Sequence, residues 1–231
     1  MNIGLDMMGG DFAPLEAVKG AAEFLTTASA DIQLTLIGDE AQIQLHLRDH
    51  PISTEKYHIV HAPQVIEMNE HPTKALKEKQ DSSIAKGFQL LAAGNIDAFI
   101  SAGNTGAMMV GSLFSIKAIE GVLRPTIGAY MPREDGSLGL LLDVGLNADC
   151  KPENLNQFAT LGSLFAKYIL NFDNPKVALI NLGEEEGKGN ILAQATYPLL
   201  KENRHINFIG NVEGRDILLA GADVFVCEGF T

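Results

Sequence analysis

A glycine-rich segment at positions 101–106, SAGNTG, combines residue types that bind anions in α/β proteins. An apolar run at 98–100 precedes it and another begins at Ala107, which predicts the order strand, glycine turn, helix. Such a helix start leaves N–H groups unpaired, and the helix dipole favours a negative charge there. The small and polar residues of the turn are Ser101, Gly103, Asn104, Thr105 and Gly106. The segment therefore predicts a phosphate-binding turn; a tight turn with only a capping Asn104 or Thr105 is the alternative.

Four further polar turns follow apolar runs: MMGGD (7–11), DVGLNAD (143–149), GEEEGKGN (183–190) and GNVEGRD (210–216). The candidate site residues in and beside them are Asp6, Gly9, Gly10, Asp11, Asp143, Asn147, Glu184, Lys188 and Arg215. Two glycines beside two acids in the first turn indicate a substrate or metal edge, and a mere sharp turn is the alternative. The third turn holds one lysine among three acids, which also fits a flexible surface loop.

The elements that position these turns repeat one unit: apolar strand, polar glycine turn, amphipathic helix. This repetition predicts a doubly wound α/β fold with a mostly parallel sheet and helices on both faces. A turn signal at 132–136 between two strand-like runs, 125–131 and 137–144, predicts one antiparallel hairpin. Ligands of such folds bind outside the carboxyl ends of the strands, so we expect several of the turns to converge on one cleft.

The predicted element bounds follow from the same pattern. Strands are expected at 2–6, 33–38, 57–62, 98–101, 176–181, 206–210 and 224–227, besides the hairpin. The uneven segment 63–81 is interpreted as an irregular loop leading to a helix. The length favours a single domain spanning residues 1–231. Because the sequence stops just after a new glycine turn, at Thr231, we expect a chain truncated at its C-terminal side.

Composition narrows the class of function. At 46% hydrophobic residues the chain can bury a core, and its net charge of −12 argues against nucleic-acid binding. The densest basic cluster is Lys74, Lys77, Lys79 and Lys86, for which a solvated helix face is the simpler interpretation. Two isolated cysteines without a CxxC motif or signal peptide indicate a reducing cytoplasm. No run reaches the ~18 apolar residues of a membrane span, and peripheral contact with a membrane stays open.

Eight motifs taken in order carry a specific resemblance. They are DMMGGDFAP, HAPQVIEMNEHP, KQDSSI, SAGNTGA, LDVGLNADCKPENLNQFA, NLGEEEGKGN, FIGNVEGRDI and ADVFVCEGFT. Together they resemble the bacterial phosphate acyltransferase family PlsX. The resemblance implies an enzyme of phospholipid synthesis that converts acyl-[acyl carrier protein] and inorganic phosphate to acyl phosphate and free carrier protein. It also implies homodimers and a fold similar to isocitrate dehydrogenases and phosphate acetyltransferases, in members longer than this chain.

That reaction requires a phosphate cradle, a cation and donors for the developing oxyanion. SAGNTG is the predicted cradle, and Lys188, Asn104 and Asn147 are the predicted catalytic residues. Lys188 would hold phosphate, although an ion pair with Glu184 or Glu185 is the alternative. Asp6, Asp11 and Asp143 repel phosphate, so we expect them to orient Lys188, Arg215 or backbone groups. No cofactor, no obligatory metal and no covalent cysteine are expected.

Two other classes of function remain open. A metal-dependent decarboxylating dehydrogenase has the same fold, but it needs a nucleotide site and a Tyr–Lys pair that the sequence does not show. A non-catalytic scaffold that binds carrier protein is the other. Carrier protein is strongly acidic, so this acidic chain must meet it through a local basic or apolar patch, which the sequence does not locate.

Overall fold

A computed structural model describes residues 1–219 and 221–231 and places them in two compact units, Met1–Ala118 and Ile119–Thr231. Each unit has its own sheet with helices packed on it. The predicted α/β class and mostly parallel pairing are confirmed, although the strands are divided between two sheets. The single folding domain stays a prediction.

The first unit contains a four-stranded, fully parallel sheet in the order β3-β2-β1-β4. Its strands are β1 (Asn2–Asp6), β2 (Gln33–Gly38), β3 (Tyr57–His61) and β4 (Ala98–Ile100). Its helices are α1 (Leu15–Thr27), α2 (Glu40–Asp49), α3 (Pro72–Glu78), α4 (Ser83–Ala92) and α5 (Thr105–Ser115). One core cluster joins α1 and α2 to β2, and another joins α3, α4 and α5 through Phe88 and Phe99. In both clusters, apolar side chains of the helices pack against apolar side chains of the sheet.

The bounds of helix α3 were not predicted, because segment 63–81 was interpreted as an irregular loop leading to a helix. Pro72 starts the helix at a position where a missing N–H costs nothing, and Ala75 is its buried residue. With seven residues the helix is too short to show an apolar periodicity. Its stability therefore depends on packing against α5 rather than on local sequence.

The second unit contains a five-stranded sheet in the order β5-β6-β9-β7-β8. Its strands are β5 (Gly128–Pro132), β6 (Leu138–Leu142), β7 (Lys176–Asn181), β8 (Asn207–Glu213) and β9 (Val224–Val226). Its helices are α6 (Pro152–Tyr168) and α7 (Ile191–Glu202). Only β5 and β6 pair antiparallel among the strands described, which confirms the predicted hairpin. Strand β8 is longer than expected and takes in residues 211–213 of the turn GNVEGRD.

The core of the second unit lies between α6, α7 and the sheet, around Phe158, Leu155, Leu179 and Leu200. At the far end of the hairpin, the buried Arg133 guanidinium holds the hairpin against the start of β9. Its Nη1 donates to Asp223 Oδ1 at 2.9 Å and to the Ala222 carbonyl at 2.7 Å. A charge pair this enclosed makes the register of the hairpin costly to change.

Candidate functional site

In the first unit, Asp6 joins the turn after β1 to the turn after β4. Its buried carboxylate accepts from the Met8 N–H at 2.9 Å and from Ser101 Oγ at 2.7 Å. Ser101 Oγ in turn accepts from the Gly103 N–H at 3.0 Å. Asp6 therefore holds the SAGNTG turn through Ser101, and both of its oxygens have donors.

The two turns approach so closely that Gly9 has no room for a side chain. A Cβ at Gly9 would lie 2.6 Å from the Gly103 nitrogen and 2.7 Å from Asp6 Oδ2. Gly10 has a φ of 100°, which favours glycine. The structure thus brings the predicted residues of MMGGD and SAGNTG together within the first unit, while Asp11 lies exposed at the edge.

Asn104 is the N-cap of α5, and its amide is fully engaged. Oδ1 accepts from the Ala107 N–H at 2.9 Å. Nδ2 donates to three carbonyls of the preceding segment 67–70, at distances of 3.0 to 3.2 Å. The buried side chain therefore clamps that segment to the start of α5 and has no free donor for an oxyanion. Its catalytic role stays a prediction, and the contacts favour a positioning role.

The free donors at this turn belong to the backbone. Gly103 N–H is taken by Ser101, but in the described part of the chain no acceptor contacts the N–H groups of Thr105 and Gly106. Thr105 is exposed, so its hydroxyl is also accessible. These groups lie at the N-terminus of an eleven-residue helix, where its dipole favours an anion. The geometry fits the predicted phosphate cradle.

In the second unit, Asp143 and Asn147 lie in the turn after β6 and are hydrogen-bonded to each other. Asp143 accepts from the N–H groups of Leu146 at 3.1 Å and Asn147 at 2.9 Å, and from Asn147 Nδ2 at 2.6 Å. Asn147 Nδ2 also donates to the Pro125 carbonyl at 2.9 Å. Both amide hydrogens of Asn147 are thereby used, so this side chain has only an acceptor to offer a ligand. The contacts favour a structural role over the predicted catalytic one.

Lys188 is exposed, and among the residues that the structure describes no carboxylate lies within 4.0 Å of its ammonium. The acid that forms an ion pair from this loop is Glu186, with Lys201 at 2.9 Å. The alternative ion pair of Lys188 with Glu184 or Glu185 is not formed. Lys188 thus keeps the free charge that a phosphate-binding lysine needs.

Two asparagines that were not among the predicted site residues hold the loop 183–190, which contains Lys188. Asn181 Nδ2 donates to the Lys188 carbonyl at 3.0 Å, and the buried Asn211 Nδ2 donates to the Glu185 carbonyl at 2.8 Å. Asn181 ends β7 and Asn211 lies on β8, so the sheet itself positions the loop. From the sequence, Asn181 could have been chosen as a candidate because it is a polar residue at the end of a predicted strand.

Arg215 offers a weaker cation. Its guanidinium lies 3.3 Å from Glu213 and 3.9 Å from Asp216, and the side chain is 74% exposed. Because its charge is balanced by acids of its own turn, it adds little net positive potential.

A cavity of about 610 Å³ lies at the carboxyl ends of β6, β9, β7 and β8. It is mostly apolar, and its polar side chains are those of Asp143, Asn181, Asn190, Glu228 and Thr231. In the first unit, an open apolar groove of about 550 Å³ runs beside Asp6, Gly9, Gly10 and Ser101. Each unit therefore has a concave site at the sheet edge where α/β folds bind ligands.

The two cysteines have the properties of unreactive thiols. Burial raises the pKa of Cys227 to about 12, helped by the carboxylates of Glu228 and Asp143. Burial, followed by the Asp143 charge, also raises the pKa of Cys150. Since the thiolate is the nucleophilic form, neither residue is prepared for covalent catalysis at neutral pH.

MMGGD and SAGNTG belong to the first unit, and the other three turns belong to the second. Their convergence on one cleft stays a prediction. Within residues 1–219 and 221–231, no cluster of three or more His, Cys, Asp or Glu side chains has a metal-binding arrangement. In the same residues, no helix has the length and apolar character to cross a membrane.

Comparison with known sequences identifies one family and relatives that share one name. The sequence model of a family described as "Fatty acid synthesis protein" matches residues 1–231. A protein named phosphate acyltransferase from Dictyoglomus turgidum is 50% identical over 230 residues, covering 100% of this chain and 68% of the relative. One of the same name from Halothermothrix orenii is 46% identical, covering 100% of this chain and 69% of the relative. The predicted family is confirmed.

Comparison with solved structures supports the fold. A phosphotransacetylase from Streptococcus pyogenes matches with a TM-score of 0.68 at 17% identity, covering 100% of this chain and 78% of that one. EutD phosphotransacetylase from Staphylococcus aureus matches with a TM-score of 0.65 at 18% identity, covering 97% and 76%. At such low identity these matches show the fold alone.

Proposed function

The chain belongs to the fatty acid synthesis protein family, and we propose that it transfers an acyl group from acyl-[acyl carrier protein] to inorganic phosphate. That it is an acyltransferase follows from this membership and from relatives named phosphate acyltransferase. The acyl carrier protein as donor is the part we propose. The dehydrogenase alternative is set aside, since the relatives carry a different name.

The proposed reaction needs no covalent enzyme intermediate. An oxygen of phosphate bonds to the thioester carbonyl carbon, a tetrahedral oxyanion forms, and the C–S bond then breaks. Acyl phosphate is the product, and the proton that phosphate loses ends on the carrier thiol. The two cysteines with raised pKa values are consistent with this direct attack.

The observation that carries the proposal is the free start of α5, which lies within SAGNTG at Thr105 and Gly106. Unpaired N–H groups of Thr105 and Gly106 at the positive end of α5 would hold phosphate. Asp6, Ser101 and Asn104 would keep the turn in that shape through the hydrogen bonds described above. In this proposal Lys188 supplies the cation that stabilises the oxyanion or the phosphate charge.

We also propose the dimer and the compartment. An exposed apolar patch on the second unit includes Tyr130, Phe165, Tyr168 and Ile169, and the rings of Tyr130 and Phe165 lie 6.2 Å apart. Adjacent exposed aromatics of this kind are typical of protein interfaces. Free Cys150 and Cys227 support a reducing cytoplasm. Sedimentation of Tyr168→Lys against wild type would test the dimer, which this variant should dissociate.

The experiment for the reaction traps its product. Purified protein is mixed with palmitoyl-carrier protein, with and without phosphate, and acyl phosphate is captured with hydroxylamine. Hydroxylamine also cleaves the thioester slowly, so a reaction without enzyme supplies the background. Above that background we expect hydroxamate only with phosphate, in a one-to-one ratio to the free carrier thiol. Tight carrier binding without phosphate-dependent product from a folded protein would instead support the scaffold function.

A further inference from the structure

A groove in the first unit has the charge and shape to receive an acidic helical partner. It lies between α3, α4 and α5, has a volume of about 390 Å³, and is lined by Leu76, Phe88, Gly111 and Phe114. Phe114 is 75% exposed, whereas Phe88 beneath it is buried. A deep aromatic floor with one projecting aromatic ring is typical of a groove that takes an apolar helix face.

One unpaired lysine lines the groove, and a second lies one helical turn away. Lys77 lines it, and Lys74 lies one turn earlier on α3. In the described part of the chain neither ammonium has a carboxylate within 4.0 Å, whereas Lys79 is paired with Glu70 and Lys86 with Asp81. Glu78 is the one unpaired acid of α3.

The local charge contrasts with that of the whole chain. Counted with both partners of the Lys79–Glu70 pair, residues 70–117 include five lysines and four acidic residues, which makes this segment close to neutral in a protein whose net charge is −12. An acidic partner is therefore repelled less at this segment than at the rest of this acidic chain, and the ammonium group of Lys77 at the groove attracts it there. A generic anionic ligand would not need the apolar floor.

We infer that this lysine-bordered groove docks the acidic carrier protein that delivers the acyl thioester. The inference rests on the proposed function. Helix α5 connects the two places: its first turn forms the proposed phosphate cradle, and Phe114 lies about 14 Å further along the helix at 1.5 Å per residue. A thioester at the end of a flexible prosthetic arm requires such a separation between docking surface and reacting atoms.

The test measures binding of the carrier protein, by fluorescence anisotropy at low salt, to two variants of the groove. Lys77→Glu should weaken the affinity about tenfold and flatten its salt dependence. Phe114→Ser should weaken it about 30-fold, the size of an interface aromatic of 2 kcal/mol or more. Matched controls on α2 are Arg48→Glu, with the same charge change, and Leu45→Ser, with a side chain 55% exposed. Neither control should change the affinity.

Kinetics separate this inference from the proposed function. With carrier thioester, the two groove variants should raise KM and leave kcat unchanged; with a small soluble acyl thioester they should match wild type. Loss of both activities, or unchanged carrier affinity, would overturn the docking inference. Absence of phosphate-dependent product in wild type would overturn the function instead, while the binding result still decides the groove. Binding to phosphatidylglycerol vesicles through Lys77 and Phe114, without carrier binding, would assign the groove to a membrane surface.

Discussion

The contact between the turns after β1 and β4 can be tested by adding one methyl group at Gly9. In the native arrangement the Cβ of Gly9→Ala would lie 2.6 Å from the Gly103 nitrogen. The neighbours it meets are backbone atoms of Gly103 and the Asp6 carboxylate, which Met8 and Ser101 hold in place by hydrogen bonds. The two turns must therefore separate.

The size of the effect follows from that distance. Ordinary van der Waals contact begins at 3.4 Å, so the turns must move apart by about 0.8 Å. Such overpacking costs about 1–3 kcal/mol of unfolding free energy. The displacement also moves Gly103 and the helix start behind it, and a misplacement near 1 Å reduces catalysis by about 10²-fold. We expect the loss in kcat/KM for phosphate.

The assay pairs urea unfolding with hydroxylamine trapping at varied phosphate concentration. Gly20→Ala is the matched control, because its Cβ would meet nothing within 4 Å in the middle of α1. That control should gain about 0.5–1 kcal/mol of stability and keep wild-type kinetics. Wild-type stability and kcat/KM in Gly9→Ala would refute the reasoning, as would an equal loss in both variants.

Three further predictions concern other contacts. Asn104→Ala removes the cap of α5 and the donor to segment 67–70, so the free energy of unfolding should fall by about 2–3 kcal/mol in urea titration. A fall under about 0.5 kcal/mol would contradict the conclusion that Asn104 holds this segment to α5. Arg133→Met leaves Asp223 without its ion-pair partner and should lower the free energy of unfolding by about 3–5 kcal/mol. The double variant Arg133→Met/Asp223→Asn should recover much of that loss. Additive losses in this double-mutant cycle would contradict the coupling. Burial raises the pKa of Cys227 from 9.0 to about 12, so below pH 9 its thiolate fraction should be about a thousandfold smaller than that of an ordinary thiol. Iodoacetamide at pH 8 should therefore leave Cys227 unmodified in folded protein and label it in urea-unfolded protein. Rapid labelling of folded protein, detected by mass spectrometry, would contradict the burial.

The sequence predicted the elements whose signals are local. The bounds of β1, β2 and β7 agree with the expected spans 2–6, 33–38 and 176–181, because an apolar run marks each strand and a glycine turn marks its carboxyl end. The hairpin was predictable for the same reason. Helix α3 was not, since a seven-residue helix packed against α5 leaves no periodic pattern.

The site residues divide in a similar way. Their positions at strand ends could be predicted, but which donors remain free could not. Asn104 and Asn147 have the right chemistry, yet tertiary partners from 67–70 and from Pro125 use their amide hydrogens. Among the described residues no carboxylate contacts the Lys188 ammonium, and Glu186 of the same loop is paired with Lys201, 15 residues away. Only the folded contacts distinguish these cases.

The most direct test of the account is the phosphate dependence of acyl phosphate formation by wild type, Lys188→Ala and Lys201→Ala. Both lysines are exposed, but Lys201 has an ion-pair partner and Lys188 has none within the residues described. We predict phosphate-dependent product from wild type and Lys201→Ala, and a loss of about 10²-fold or more in Lys188→Ala, the scale of one preorganised charge or donor. Product that does not depend on phosphate, or an unimpaired Lys188→Ala, would contradict the account.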